Sequence, residues 1–207
     1  MAALQADNEQ WHLDRVGKVT GTRSYIVCKT DKKGEATAAF KKLIDTLAMQ
    51  IITGKEEKIF TSPAMIKGTV TEPIARVRFS FEHGVDVRQV GFQDHPTVSM
   101  AGASLDGIID SEKASIEIKC PQRKNHELYL TDPSIPPEYL CQIQWGLACY
   151  PELTHSYFVS YNEEFDLQHQ ILIRRVERNH KMISLMEEKV IEFNKLVEAR
   201  VAEIRGA

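Results

Sequence analysis

The stretch Ser104-Leu105-Asp106-Gly107-Ile108-Ile109-Asp110-Ser111-Glu112-Lys113-Ala114-Ser115-Ile116-Glu117-Ile118-Lys119 decides the fold. Its centre, Ser111-Glu112-Lys113, reads as a turn, so a hairpin is expected between Ser99 and Cys120. In the second arm Ile116 and Ile118 take one face, and Glu117 and Lys119 the other. The Glu117 carboxylate and the Lys119 ammonium therefore project together. If Asp106 ends the neighbouring arm, two carboxylates and one ammonium converge. Close carboxylates repel unless protons or a cation neutralise them. A hard divalent ion such as Mg2+ suits them, because it prefers oxygen ligands and keeps several waters. Such an ion makes a water that it holds easier to deprotonate and polarises a phosphoryl oxygen. The lysine would orient the water and oppose charge building on the phosphate. Taken alone, the same pattern also describes an ordinary half-exposed strand.

Working outward, the upstream sequence is helical in period. Phe40, Leu43, Leu47 and Ile51 share one face of a helix expected over Ala36–Thr53, stopped by Gly54. A second helical region opens at Ser62-Pro63, a cap residue followed by a first-turn proline. Its apolar stripe is Ile66, Val70, Ile74, Val77 and Phe81, and Pro73 is expected to kink or divide it. Val85, Val87 and Phe92 suggest a short strand. Downstream, Pro136-Pro137 opens a helix running to about Cys149. Two strands follow, near Ser156–Tyr161 and Gln168–Arg175. Ile183, Met186, Val190, Phe193, Val197, Val201 and Ile204 then mark a long closing helix. This order predicts an α/β fold with a mixed, partly antiparallel sheet covered by helices, as one domain over residues 1–207.

Composition narrows the function classes. The 207 residues suffice for a full core without staples. No apolar run reaches membrane-spanning length, and residues 1–9 lack the pattern of a signal peptide, so a cytoplasmic location is expected. Cys28, Cys120, Cys141 and Cys149 form no C-x-x-C pair and read as reduced thiols. The seven histidines lack zinc-ligand spacing. The net charge is −3, so any surface that attracts phosphate must be local. One concentration exists: Arg15, Lys18, Arg23, Lys29, Lys32 and Lys33 stand against the single acid Asp31.

Three more fragments accompany the Asp106 and Glu117-Ile118-Lys119 pattern. They are Trp11-x-x-x-Arg15-x-Gly17-x-x-Thr20-Gly21-Thr22, then Gly68-x-x-x-Glu72-Pro73-x-Ala75-Arg76, and last Gln142-x-Gln144-Trp145. In this order, from Trp11 to Trp145, the chain resembles the lambda-type phage exonucleases, or alkaline exonucleases. These belong to the PD-(D/E)XK restriction-endonuclease-like nuclease superfamily.

The resemblance implies a mixed sheet flanked by helices. It also implies Mg2+-dependent 5′→3′ digestion of one strand of linear double-stranded DNA, leaving 3′ single-stranded tails. Two ions are implied, with Mn2+ as a substitute. Partners implied are duplex DNA with a 5′-phosphorylated end, two further copies in a toroidal homotrimer, and a single-strand annealing protein used in recombination and repair.

Residue by residue, Asp106 and Glu117 match the family's metal carboxylates and Lys119 its catalytic lysine. Glu72 matches the helical acid near the metal site, and Gln142 the glutamine on the following helix. Arg15, Thr22 and Ser104 match a pocket for the 5′-terminal phosphate, to which a guanidinium fork and two hydroxyls are suited. Met65 falls where an apolar residue wedges at the strand fork, and Arg123 or Lys124 near a further arginine that contacts the DNA backbone. Leu105 departs from a proline, and Asp94 lies at a slightly different spacing from an additional acid, so it is left outside the set.

Alternatives on the same scaffold are a restriction-type or structure-specific endonuclease and a non-catalytic DNA-binding protein. A related nuclease type holds an iron–sulfur cluster on four cysteines. Here Cys120, Cys141 and Cys149 are 21 and 8 positions apart, which does not suit one.

Overall fold

A computed structural model describes residues 9–56 and 62–206. The expectation of a leaderless N-terminus concerns residues 1–9, of which all but Glu9 lie outside the described residues. No helix among the described residues is long and apolar enough to cross a membrane.

Four helices come first: α1 (Glu9–Arg15), α2 (Gly21–Cys28), α3 (Ala38–Thr53) and α4 (Pro63–His83). Their ends follow local chemistry. The Thr37 hydroxyl accepts from Phe40 N–H and the Ser62 hydroxyl from Met65 N–H, satisfying first-turn amides of α3 and α4. Gly54 and Gly84 close the same two helices at φ 68° and 65°, a left-handed conformation that costs other residues more.

A small antiparallel pair follows, β1 (Phe92–Asp94) with β2 (Gly102–Ser104). The main sheet contains β3 (Gly107–Ile109), β4 (Ala114–Lys119), β5 (His155–Tyr161) and β6 (Ile171–Glu177), in that spatial order. The β4–β5 pairing is parallel and the other two are antiparallel. Between β4 and β5 run α5 (Arg123–Thr131) and α6 (Pro137–Cys149), a helical crossover of the kind that parallel pairing requires. The chain ends in α7 (His180–Arg205).

The strand period divides the core. On one face of the sheet Ile116, Ile118, Tyr157 and Val159 pack with Ala75 and Phe79 of α4. On the other, Phe158 joins Trp145 of α6, Leu47 of α3 and Phe193 of α7. Glu117 is paired in register with Phe158, so its side chain points to the α6 face, opposite Ile116 and Ile118. Residues 114–118 of β4 are buried, so β4 is an inner strand covered on both faces.

The structure decides four points that the sequence left open or placed differently. The apolar stripe of α4 faces outward: Ile66, Val70, Ile74, Val77 and Phe81 are 49% to 79% exposed. The inward face is Thr71, Ala75, Arg76 and Phe79, with Ala75 and Phe79 joining the apolar residues of the sheet. Pro73 sits inside α4 without dividing it. Val85 and Val87 form no strand; the link there is a single bridge between Arg88 and Ile108. The expected hairpin is split at Leu105-Asp106, where β2 leaves to pair with β1 and β3 begins.

Candidate active site

Asp106 occupies the bend between β2 and β3, across from the end of β4. Its Oδ2 accepts the backbone N–H of Ile118 at 2.7 Å, which fixes the carboxylate beside Glu117 and Lys119. Glu117 is 3% exposed and forms an ion pair with Lys119. The Lys119 ammonium also donates to Gln142 Oε1 at 3.3 Å and lies 5.0 Å from the centre of the Tyr139 ring. Gln142 and Tyr139 are one turn apart on α6. Strand β4 and helix α6 thus bring Glu117, Lys119 and Gln142 together. Helix α4 delivers Glu72 from the other side of Asp106, where Arg76 donates to Glu72 Oε1 at 2.5 Å and to the Asp106 carbonyl at 2.9 Å.

The electrostatics follow from crowding acids into a buried space. Burial, then the Asp106 charge, pushes the Glu72 carboxyl up to about 7 against the pull of Arg76 and Lys119. Burial pushes Glu117 up to about 8; Lys119 opposes the rise, and Asp106 and Glu72 add to it. Asp106 is raised by burial and pulled back by Lys119, the Ile118 N–H and Arg76. Burial lowers Lys119, but Glu117 and Asp106 outweigh it, so the ammonium is held charged above its ordinary range.

Glu72, Asp106 and Glu117 therefore offer hard oxygen donors whose ionised forms need a cation, and that donor set fits Mg2+ or Mn2+. Among the described residues no three acids, histidines or cysteines are already drawn together as a metal cage. The carboxylates are turned instead onto Arg76, Lys119 and the Ile118 N–H.

Arg15, Thr22 and Ser104 gather on the adjoining side, linked through Trp11 and Thr20. The Arg15 guanidinium stacks 4.1 Å over the Trp11 ring, and Trp11 Nε1–H donates to Ser104 Oγ at 2.9 Å. Arg15 reaches Thr20 Oγ1 at 3.5 Å, which is 3.5 Å from Thr22 Oγ1. Arg15 is mostly buried; its Nε stands 4.0 Å from Glu56 Oε1, an ion-pair distance, and has no hydrogen-bond partner among the described residues. Burial lowers its pKa to about 10, against the charge of Glu56. Arg23 is lowered for the same reason and pairs with Glu56 at 3.1 Å. One carboxylate thus faces two desolvated guanidiniums, leaving a local excess of positive charge and an N–H without a hydrogen bond. Thr20 begins α2 without a side-chain cap, so its hydroxyl leaves the first-turn amides to another acceptor.

The remaining expected residues lie farther out. Met65 is 52% exposed on the first turn of α4. Arg123 and Lys124 are exposed on the first turn of α5, just after β4. Asp94 pairs with Lys18 at 2.6 Å and belongs to neither cluster. Sequence reasoning missed Arg23, Glu56 and Tyr139 as site residues. Only the basic run around Arg23 carried a signal for any of them.

The profile of the YqaJ-like viral recombinase domain matches residues 10–154. Among solved structures, the alkaline exonuclease LHK-Exo from Laribacter hongkongensis superposes with a TM-score of 0.88 at 34% identity, covering 96% of each chain. LHK-Exo in complex with dAMP gives 0.88 at 33% identity, again over 96% of each chain. A phage related exonuclease from Haemophilus somnus 129PT shares the fold, with a TM-score of 0.71 at 14% identity over 90% of this chain and 96% of that one. No curated protein matches the chain. The chain belongs to the YqaJ-like viral recombinase family and carries the fold of the lambda-type alkaline exonucleases.

Proposed function

We propose that this nuclease is a Mg2+-dependent exonuclease that digests the 5′-ended strand of linear duplex DNA and leaves a 3′ single-stranded tail. One observation carries the reading: a buried acid–lysine–glutamine cluster adjoins an arginine–hydroxyl pocket, and Gly21 of α2 packs against Gln142 of α6 between them. A terminal phosphate in the pocket would put the first phosphodiester beside the cluster. Among relatives, LHK-Exo has been crystallised with dAMP, a nucleotide bearing such a phosphate, which supports the same ligand class here.

In this reading Glu72, Asp106 and Glu117 hold the divalent ions, two in number, with Mn2+ able to replace Mg2+. Bound there, the ions would supply a more acidic water and a polarised phosphoryl oxygen. Lys119 orients the attacking water and opposes charge developing on the phosphate. Gln142 fixes the Lys119 ammonium from α6. Arg15, Thr22 and Ser104 hold the 5′-phosphate, with Trp11 as the rigid plate beneath Arg15. Met65 is the wedge at the strand fork. Arg123 and Lys124 hold the backbone; two cations at the positive end of a helix are locally unfavourable, which a phosphate contact offsets.

The same reading extends to a homotrimer, to a single-strand annealing partner and to recombination. The outward stripe on α4 supports assembly with further copies. Each large apolar side chain left in water forgoes about 1.5–3 kcal/mol relative to burial.

The test is digestion of linear duplex beside a closed circle, with and without Mg2+. An exonuclease consumes the linear DNA, spares the circle and stops when Mg2+ is chelated. Cutting of the circle would make the chain an endonuclease.

A further inference from the structure

We propose that Arg76 is a positioning residue of the carboxylate centre: its guanidinium ties Glu72 to the Asp106 bend and so sets the spacing between the helix-borne and sheet-borne oxygen donors. The inference rests on the reading of Glu72 and Asp106 as donors to a divalent cation.

Arg76 is 8% exposed and lies on the inner face of α4, beside Ala75 and one turn from Phe79. A charge in such a place is costly unless its donors are used. Two are used, each on a different acceptor: Nη2 to the Glu72 carboxylate at 2.5 Å and Nε to the Asp106 main-chain carbonyl at 2.9 Å. The first bond is local, across one turn of α4. The second spans 30 positions and joins α4 to the bend that carries Asp106.

The geometry explains why the residue must be an arginine. A guanidinium presents several N–H groups in one rigid plane, so it bridges two acceptors that are fixed relative to each other. A lysine ammonium carries charge at one atom and does not reproduce that bridge. Without the bridge Glu72 has somewhere else to go: its side chain is 33% exposed and the Asp106 carboxylate repels it. The bond to Arg76 keeps it turned inward. Partners that orient metal ligands typically account for about 10- to 100-fold in metal affinity.

The competing explanation is that Arg76 merely pins α4 to the sheet. A double-mutant cycle on Mn2+ affinity separates the two, measured by calorimetry on the full chain without DNA. The variants are Arg76→Met, Glu72→Gln and both together, each checked by thermal melting. If Arg76 acts through Glu72, each single change weakens Mn2+ about tenfold or more, and the double variant is no weaker than Glu72→Gln alone. Wild-type affinity in Arg76→Met, or losses that multiply in the double variant, would overturn the proposal. Should Arg76→Met fail to fold, Arg76→Lys keeps the buried charge without the bridge and is expected to weaken Mn2+ likewise; wild-type affinity there overturns it. A wild-type chain that binds no Mn2+ sinks the carboxylate reading itself. Mn2+ binding that is indifferent to Glu72→Gln sinks the role of Arg76 alone.

Discussion

A methyl group added at Gly21 would stand 3.2 Å from Cγ of Gln142, so the first turn of α2 touches the side chain that steadies Lys119. This contact joins the phosphate pocket to the acid cluster. Gly21→Ala is expected to push Gln142 by a few tenths of an ångström. A misplacement of about 1 Å costs roughly 100-fold in rate, so a loss of about three- to tenfold in kcat is expected. Stability should hold or rise slightly, because alanine is the better helix former. Steady-state kinetics with a melting curve checks both. An unchanged kcat would separate the two sites.

Arg15→Ala is expected to harm 5′-phosphorylated ends more than 5′-hydroxyl ends. A charge-assisted bond to the terminal phosphate is lost, worth roughly 1.5–3 kcal/mol. Ends with only a hydroxyl never had it. Initial rates on the two end types decide. An equal loss on both, with a normal melting temperature, would remove Arg15 from the pocket.

The raised acids predict a pH dependence of stability. Glu117 and Glu72 keep protons in the folded chain up to about 8 and 7 that the unfolded chain releases above 4.5. Their contribution is therefore complete at low pH and is lost as pH rises through about 7 to 8. The buried histidines His95, His126 and His155 act oppositely, but at and below their ordinary value of 6.5. Metal-free protein should thus lose melting temperature between about pH 6.5, above the histidine range, and about pH 8, and Glu117→Gln should flatten that slope. Added Mg2+ should restore stability at the alkaline end, where the carboxylates are ionised. A flat or rising curve for metal-free wild type contradicts the assignment.

The stripe on α4 predicts an interface. Val77→Lys with Phe81→Lys changes side chains that are 70% and 79% exposed, so the folded chain should lose no more than about 1 kcal/mol. Light scattering should show the wild type as an oligomer and the double variant dissociated. A wild type that is monomeric at micromolar concentration would refute the assembly.

The acid–lysine core of the site was legible because strand period alone pairs Glu117 with Lys119. The turn at Ser111-Glu112-Lys113 then brings Asp106 opposite. The orientation of α4 was not legible. Helical period says which residues share a face but not which face turns inward, and here the larger apolar set turns outward. The sheet instead receives Ala75, Arg76 and Phe79. Helices α1, α2 and α5 have 7, 8 and 9 residues, too few turns for a period to stand out. Glu56 meets Arg23 across 33 positions, a pairing that only the folded chain creates.

The most direct test is polarity on one duplex, labelled at a 5′-phosphorylated end or at the 3′ end of the same strand, with wild type and Lys119→Ala. The account predicts immediate Mg2+-dependent release of the 5′ label by wild type. The 3′ label should appear late, after the strand is consumed. Lys119→Ala should bind the duplex yet release neither label, because the ammonium serves the transition state more than the bound state. Early release of the 3′ label by wild type, or near-normal release by Lys119→Ala at saturating Mg2+, would contradict it.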